Sequence, residues 1–161
     1  MNILKIGAVA LAIMPSLAAA QTISEGLRLA EVTFESVDTA GRGYVDMGNM
    51  ENFRRLVFVS QDADDNHRVS LQEYLEWDYG FSNLAAETNR ELAYITALKV
   101  VHSFWDLNGD GEVSEAEHRR SIMADFSRAD LNNDAILSKE EFISGFSVLV
   151  ALRAALKPDV Q

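Results

Sequence analysis

Three segments of the chain carry the same arrangement of oxygen-bearing side chains. In Asp62–Glu73 they are Asp62, Asp64, Asn66, Ser70 and Glu73; in Asp106–Glu117 they are Asp106, Asn108, Asp110, Ser114 and Glu117; in Asp130–Glu141 they are Asp130, Asn132, Asp134, Ser138 and Glu141. Each set falls at positions 1, 3, 5, 9 and 12 of a twelve-residue stretch. A hard cation such as Ca²⁺ takes about six to eight oxygens at roughly 2.3–2.6 Å, and a chain wrapped around the ion supplies them at this spacing. Position 7 contributes a backbone carbonyl, so Arg68, Glu112 and Ile136 need no particular side chain there. Position 9 often acts through water, and the closing glutamate can chelate with both oxygens.

The spacing resembles the EF-hand family, and three matches in one chain make the resemblance specific. What it implies is an all-α fold of four EF-hand helix-loop-helix units, the first degenerate, with short β-bridges between paired loops. The units are expected at 25–61, 50–81, 85–129 and 118–157, inside one domain spanning 21–161. The resemblance further implies that Val69, Val113 and Leu137, at position 8, pair with a partner loop and enter the core. The overall likeness is to secreted bacterial EF-hand proteins. A partial likeness to dockerin ends at the substantial helix that precedes each loop here.

The fourth segment, Asp38–Asn49, is damaged. Ala40 and Arg42 replace the ligands of positions 3 and 5, and Asn49 replaces the closing glutamate. Arg42 would bring a positive charge to the place of the ion, so this loop is expected to be metal-free. Gly43 and Val45 survive, so it should keep its shape and still pair. Among the other three, Gly111 gives the third loop the residue best suited to a left-handed turn at position 6. His67 and Ala135 take that place in the second and fourth loops at a cost of roughly 1–2 kcal/mol. Mg²⁺ is the rival ion, disfavoured by the closing glutamate. Zn²⁺ is disfavoured because the chain has no cysteine and its three histidines do not cluster.

The elements that must hold these loops follow from the flanks. Helices are expected from Ser24, as a cap, to about Val37, and over Met50–Gln61, Ala85–Trp105, His118–Ala129 and Phe142–Lys157, with Gly80 and Ser82 breaking the connector. Loop starts at Asp38, Asp62, Asp106 and Asp130 give intervals of 24, 44 and 24 residues. Only the twelve residues 50–61 separate the first two loops, and only 118–129 the last two; neither stretch holds Gly or Pro. A continuous helix of that length is a rod of about 18 Å, whereas bridging strands lie ~4.8 Å apart. Loop 2 is therefore expected to pair with loop 3, and loop 1 with loop 4, the first and last helices lying side by side. The alternative is a kink in each rod with pairing of consecutive loops.

Residues 1–20 read as a secretory signal peptide: Lys5, an apolar run from Ile6 to Met14, and Ala18-Ala19-Ala20 before a mature start at Gln21. The expected location is periplasmic or secreted, with no membrane span in the mature chain. Without Lys5 the chain holds 13 basic residues against 25 acidic ones, a formal charge of −12. Such a chain repels nucleic acid and attracts cations. With no disulfide to draw on, bound metal is the natural source of added stability.

No catalytic constellation stands out, and the chain is expected not to be an enzyme. Two classes remain: a calcium buffer or calcium-stabilised structural protein, or a calcium-dependent sensor that docks an unidentified protein partner. Met47, Met50 and Met123 are few for an adaptable groove. The segment from Phe142 to Leu156 is apolar nearly all round, and is either core or a docking surface. His102 and His118, flanking the third loop, are expected at a helix surface or interface rather than as ligands.

Overall fold

The computed structural model describes residues 17–157, with side chains from Glu25 onward. The leader expected at residues 1–20 lies largely outside them. Eight helices and four three-residue strands follow in the order α1 (Leu17–Val37), β1 (Tyr44–Asp46), α2 (Met47–Gln61), β2 (Arg68–Ser70), α3 (Leu71–Glu76), α4 (Ser82–Glu87), α5 (Glu91–Trp105), β3 (Glu112–Ser114), α6 (Glu115–Ala129), β4 (Ile136–Ser138), α7 (Lys139–Gly145) and α8 (Ser147–Ala155). The fold is helical, with two short antiparallel strand pairs. No helix of the described residues is long and apolar enough to cross a membrane.

Strand pairing follows the rod-length argument. β2 pairs with β3, placing Val69 opposite Val113, and β1 pairs with β4, placing Val45 opposite Leu137. Both rods, α2 and α6, are single helices, so pairing of consecutive loops is excluded. All four position-8 side chains are buried in the core. The first helix lies against the end of the chain: α1 packs on α7, and Phe34 meets Phe142 edge-on at 5.7 Å between ring centres.

Five helix expectations are corrected. The first helix begins at Leu17, so Ser24 lies inside it and does not cap it. α2 starts at Met47 and α6 at Glu115, each three residues before the expected Met50 and His118, because Asp46 and Ser114 accept from the Asn49 and Glu117 amides and cap them. The long helix expected over Ala85–Trp105 is two, α4 and α5, interrupted at Asn89, whose φ is 55°. The closing helix breaks at Phe146, where ψ is 117°. There Asp125 of α6 accepts hydrogen bonds from the Ser147 amide at 3.2 Å and the Ser147 hydroxyl. That break reorients the apolar segment, and Phe142, Ile143, Phe146, Val148, Leu149, Leu152 and Leu156 are all buried. They form core, while Val150 stays exposed.

A further close fit lies between α6 and α7. A Cβ on Gly145 would come within 2.6 Å of the Ala129 Cα and closer still to its Cβ. Only glycine lets the two backbones approach this far.

His102 and His118 are not surface residues. They are 3% and 2% exposed, and pack with Tyr74, Trp105 and Phe58 at centroid distances of 5.0–5.5 Å. Burial, aided by the nearby Arg54 charge, pushes the His118 imidazole down to about 3, so it is neutral at ordinary pH.

Candidate metal centre

Each of the three intact loops is built on one hydrogen-bonded frame. The aspartate at position 1 caps the turn: Asp62 Oδ2 accepts from the His67 amide at 2.9 Å, Asp106 Oδ2 from Gly111 at 2.8 Å, and Asp130 Oδ2 from Ala135 at 3.0 Å. The other oxygen of each accepts from the amide of position 5 at 3.0–3.1 Å. The side chain at position 5 accepts from the amide of position 7 in turn, Asn66 from Arg68, Asp110 from Glu112 and Asp134 from Ile136. The side chains of Asp64, Asn108 and Asn132 at position 3 accept from the position-5 amide. Backbone amides thus aim the oxygen side chains inward before any ion is considered.

Two residues per loop make this possible by adopting positive φ. At position 6 the angles are 65° for His67, 92° for Gly111 and 66° for Ala135. Position 4 does the same in Asp65, Gly109 and Asn133, at 58°, 75° and 59°, which the ligand spacing gave no reason to expect. Asp and Asn tolerate this region better than most residues.

The closing glutamate is held at both ends. One oxygen accepts from the amide at position 2 or 3: Ala63 to Glu73, Asn108 to Glu117 and Leu131 to Glu141, at 2.9–3.2 Å. The other accepts from the amide and hydroxyl of position 9. The serine hydroxyls of Ser70, Ser114 and Ser138 donate to Glu73, Glu117 and Glu141 at 2.7, 2.6 and 2.9 Å. Each hydroxyl also accepts from its glutamate's amide, completing a capping box at the start of α3, α6 and α7. The serines therefore orient the glutamates, where the spacing alone suggested water-mediated ligands. Burial pushes the Glu73 and Glu117 carboxyls up, but the serine and backbone donors outweigh it and hold both below the usual range. Ser138 holds Glu141 low in the same way.

Convergence of acids differs among the loops. Oxygens of Asp62, Asp64 and Glu73 all lie within 4.8 Å of one another. Loops 3 and 4 carry Asn108 and Asn132 at position 3, so their third acid stands at position 5, and no trio there meets that distance. Asp110 is also turned toward Arg68 of the facing loop, whose Nη1 lies 3.0 Å from its Oδ2 and 3.3 Å from Glu112 Oε2. Arg68, Glu112 and Ile136, expected to offer carbonyls, open β2, β3 and β4. Asp62, Asp65 and His67 form a second close trio in loop 2. The twelve-residue template gave Asp65 no role and His67 only the turn at position 6, so neither was expected near a ligand set.

The first loop keeps the position-1 part of the frame and adds a guanidinium of its own. Asp38 accepts from the Arg42 and Gly43 amides at 3.0 and 2.6 Å. The Arg42 guanidinium then donates to Asp46 at 2.9 Å, to Tyr44 at 3.2 Å and to Asn49. It joins positions 5, 7, 9 and 12 of the damaged loop.

No family model, curated protein or solved structure matches this chain. The donors are oxygens throughout the frame, which suits a hard divalent cation better than a soft one.

Proposed function

We propose that this chain is an exported calcium-binding protein with four EF-hand units, of which three hold Ca²⁺. The reading rests chiefly on one observation: three loops share a hydrogen-bonded frame, and in loop 2 the oxygens of Asp62, Asp64 and Glu73 gather within 4.8 Å. The ligands would be the side chains of Asp62, Asp64, Asn66 and Glu73, of Asp106, Asn108, Asp110 and Glu117, and of Asp130, Asn132, Asp134 and Glu141. The carbonyls of Arg68, Glu112 and Ile136 would complete each set, with Ser70, Ser114 and Ser138 positioning the glutamates. An ion bound only by the folded chain adds stability by mass action, which fits a buffer or a calcium-stabilised structural role. Export rests on the leader pattern at residues 1–20.

Isothermal calorimetry on protein lacking residues 1–20 tests this directly. Three Ca²⁺ per chain are expected; one or none would defeat it.

A second reading, a calcium-dependent adaptor docking a protein partner, draws on one feature. A groove of about 580 Å³ is lined by Val100, Phe104, Leu131 and Val150, all exposed, together with Glu141 of loop 4. An ion at loop 4 would therefore act on the groove wall. Calcium-dependent retention on phenyl resin would favour the adaptor, and unchanged retention the buffer. Burial of most of the Phe142–Leu156 segment weighs against that segment as the docking surface.

A further inference from the structure

Two of the chain's three histidines are sealed, since His102 and His118 are 3% and 2% exposed inside the aromatic core. His67 is exposed, and the chain has no cysteine. It is therefore the one imidazole or thiolate donor that a metal ion in solution can reach. Borderline first-row cations favour imidazole over a set made wholly of oxygens, so the surroundings of His67 decide where such a cation would settle.

Those surroundings are two carboxylates. One donor atom each from Asp62, Asp65 and His67 lie within 4.8 Å of one another. Ligands sit about 2.0–2.2 Å from a zinc ion, so two donors on one ion stand up to ~4 Å apart and the trio closes by side-chain rotation. Asp65 and His67 are both exposed, and no hydrogen bond or ion pair among the described residues holds either side chain. Asp62 is anchored, accepting from the Asn66 and His67 amides at 3.0 and 2.9 Å, and carboxylate oxygens keep further lone pairs after such bonds. The neighbouring cation leaves the trio uncompensated, because Arg68 turns to Asp110 of the facing loop. Loops 3 and 4 carry Gly109 and Gly111, and Asn133 and Ala135, at the places of Asp65 and His67, so neither can form this trio.

We propose that Asp62, Asp65 and His67 form a second metal site on loop 2, which takes a borderline first-row divalent cation such as Zn²⁺ through one imidazole nitrogen and two carboxylates. Three protein ligands with water in the remaining position is a coordination that zinc accepts. Clustered histidines are not needed for it: a single accessible imidazole beside two acids is enough. The proposal stands apart from the calcium reading, with which it shares Asp62 alone.

The test is calorimetric titration of the metal-stripped full chain with zinc chloride, run alongside the ring-proton resonances of His67. Saturable binding that shifts those resonances is expected. His67→Asn, whose new side chain tolerates the φ of 65° found there, should weaken zinc at least tenfold with an unchanged far-ultraviolet spectrum. Asp65→Asn should weaken it at least threefold. Glu73→Gln, which strikes the calcium set and not this trio, should leave zinc within twofold. Unmoved His67 resonances, or zinc affinity within twofold of wild type in His67→Asn, would overturn the site. Wild-type affinity in Asp65→Asn would overturn the trio, and a loss in Glu73→Gln equal to that in His67→Asn would put the zinc in the calcium position instead. Failure of the calcium reading shows separately, as a calcium count of one or none while the His67-dependent zinc binding persists.

Discussion

Arg68 of one loop reaches across the strand pair to Asp110 of the next, with Nη1 3.0 Å from Oδ2. Its guanidinium thus engages an oxygen proposed to bind the ion of loop 3. Removing it should ease calcium entry there. Arg68→Ala is expected to raise loop 3 affinity about two- to fivefold at low salt, the range of an exposed ion pair, and less at high salt. Trp105, the last residue before loop 3, supplies the fluorescence signal. A midpoint that stays put or moves to higher calcium would contradict the competition.

Loop 1 bonds the Arg42 guanidinium to Asp46 and Asn49, the residues at positions 9 and 12 of the proposed calcium-loop pattern. The combined change Ala40→Asp, Arg42→Asp and Asn49→Glu restores acids on the part of the frame that remains. Calorimetric stoichiometry should rise from three calcium ions to four. A count that remains at three would show that the frame and the restored acids together do not make a site.

Gly145 is fixed by the nearness of Ala129. Gly145→Ala forces α6 and α7 apart and is expected to destabilise the fold by about 1–3 kcal/mol, each kcal/mol lowering Tm by roughly 2–4 °C or more. Thermal unfolding followed by circular dichroism measures it. No loss of Tm would mean the helices separate freely.

Glu51 carries the clearest acid sensitivity away from the three intact loops. Hydrogen bonds from Arg54 and then Arg119 outweigh burial and hold its carboxyl at about 2, below the model-peptide value of 4.5. The unfolded chain therefore binds the extra proton between those values, and stability falls as pH drops through them. In EDTA, Glu51→Gln should be less stable than wild type at pH 7, and the gap should close as pH falls from about 4.5 toward 2. A gap independent of pH would place the effect in packing rather than in charge.

Sequence spacing carried the connectivity well. Two stretches without Gly or Pro, 50–61 and 118–129, were enough to separate consecutive loops and select the partners found in the two strand pairs. The twelve-residue spacing marked where the loops lie, but not the frame inside them: the positive φ at position 4 and the serine-held glutamates were not legible. The helix breaks at Asn89 and Phe146 were not legible. The second depends on Asp125 meeting Ser147 across 22 residues of sequence. Burial of His102 and His118 is equally non-local: it needs Tyr74 and Phe58 brought from elsewhere. Arg68 offered no clue that its side chain would cross to loop 3.

The two strand pairs are nested, Arg68–Ser114 lying wholly within the span from Tyr44 to Ser138. The outer closure must wait until β4 has been synthesised, while the inner one needs only the middle of the chain. Once the inner pair has formed, the outer closes a shorter effective loop and loses less chain entropy. If the inner pair forms first, assembly runs from the centre outward and the Arg42-bearing segment waits for β4.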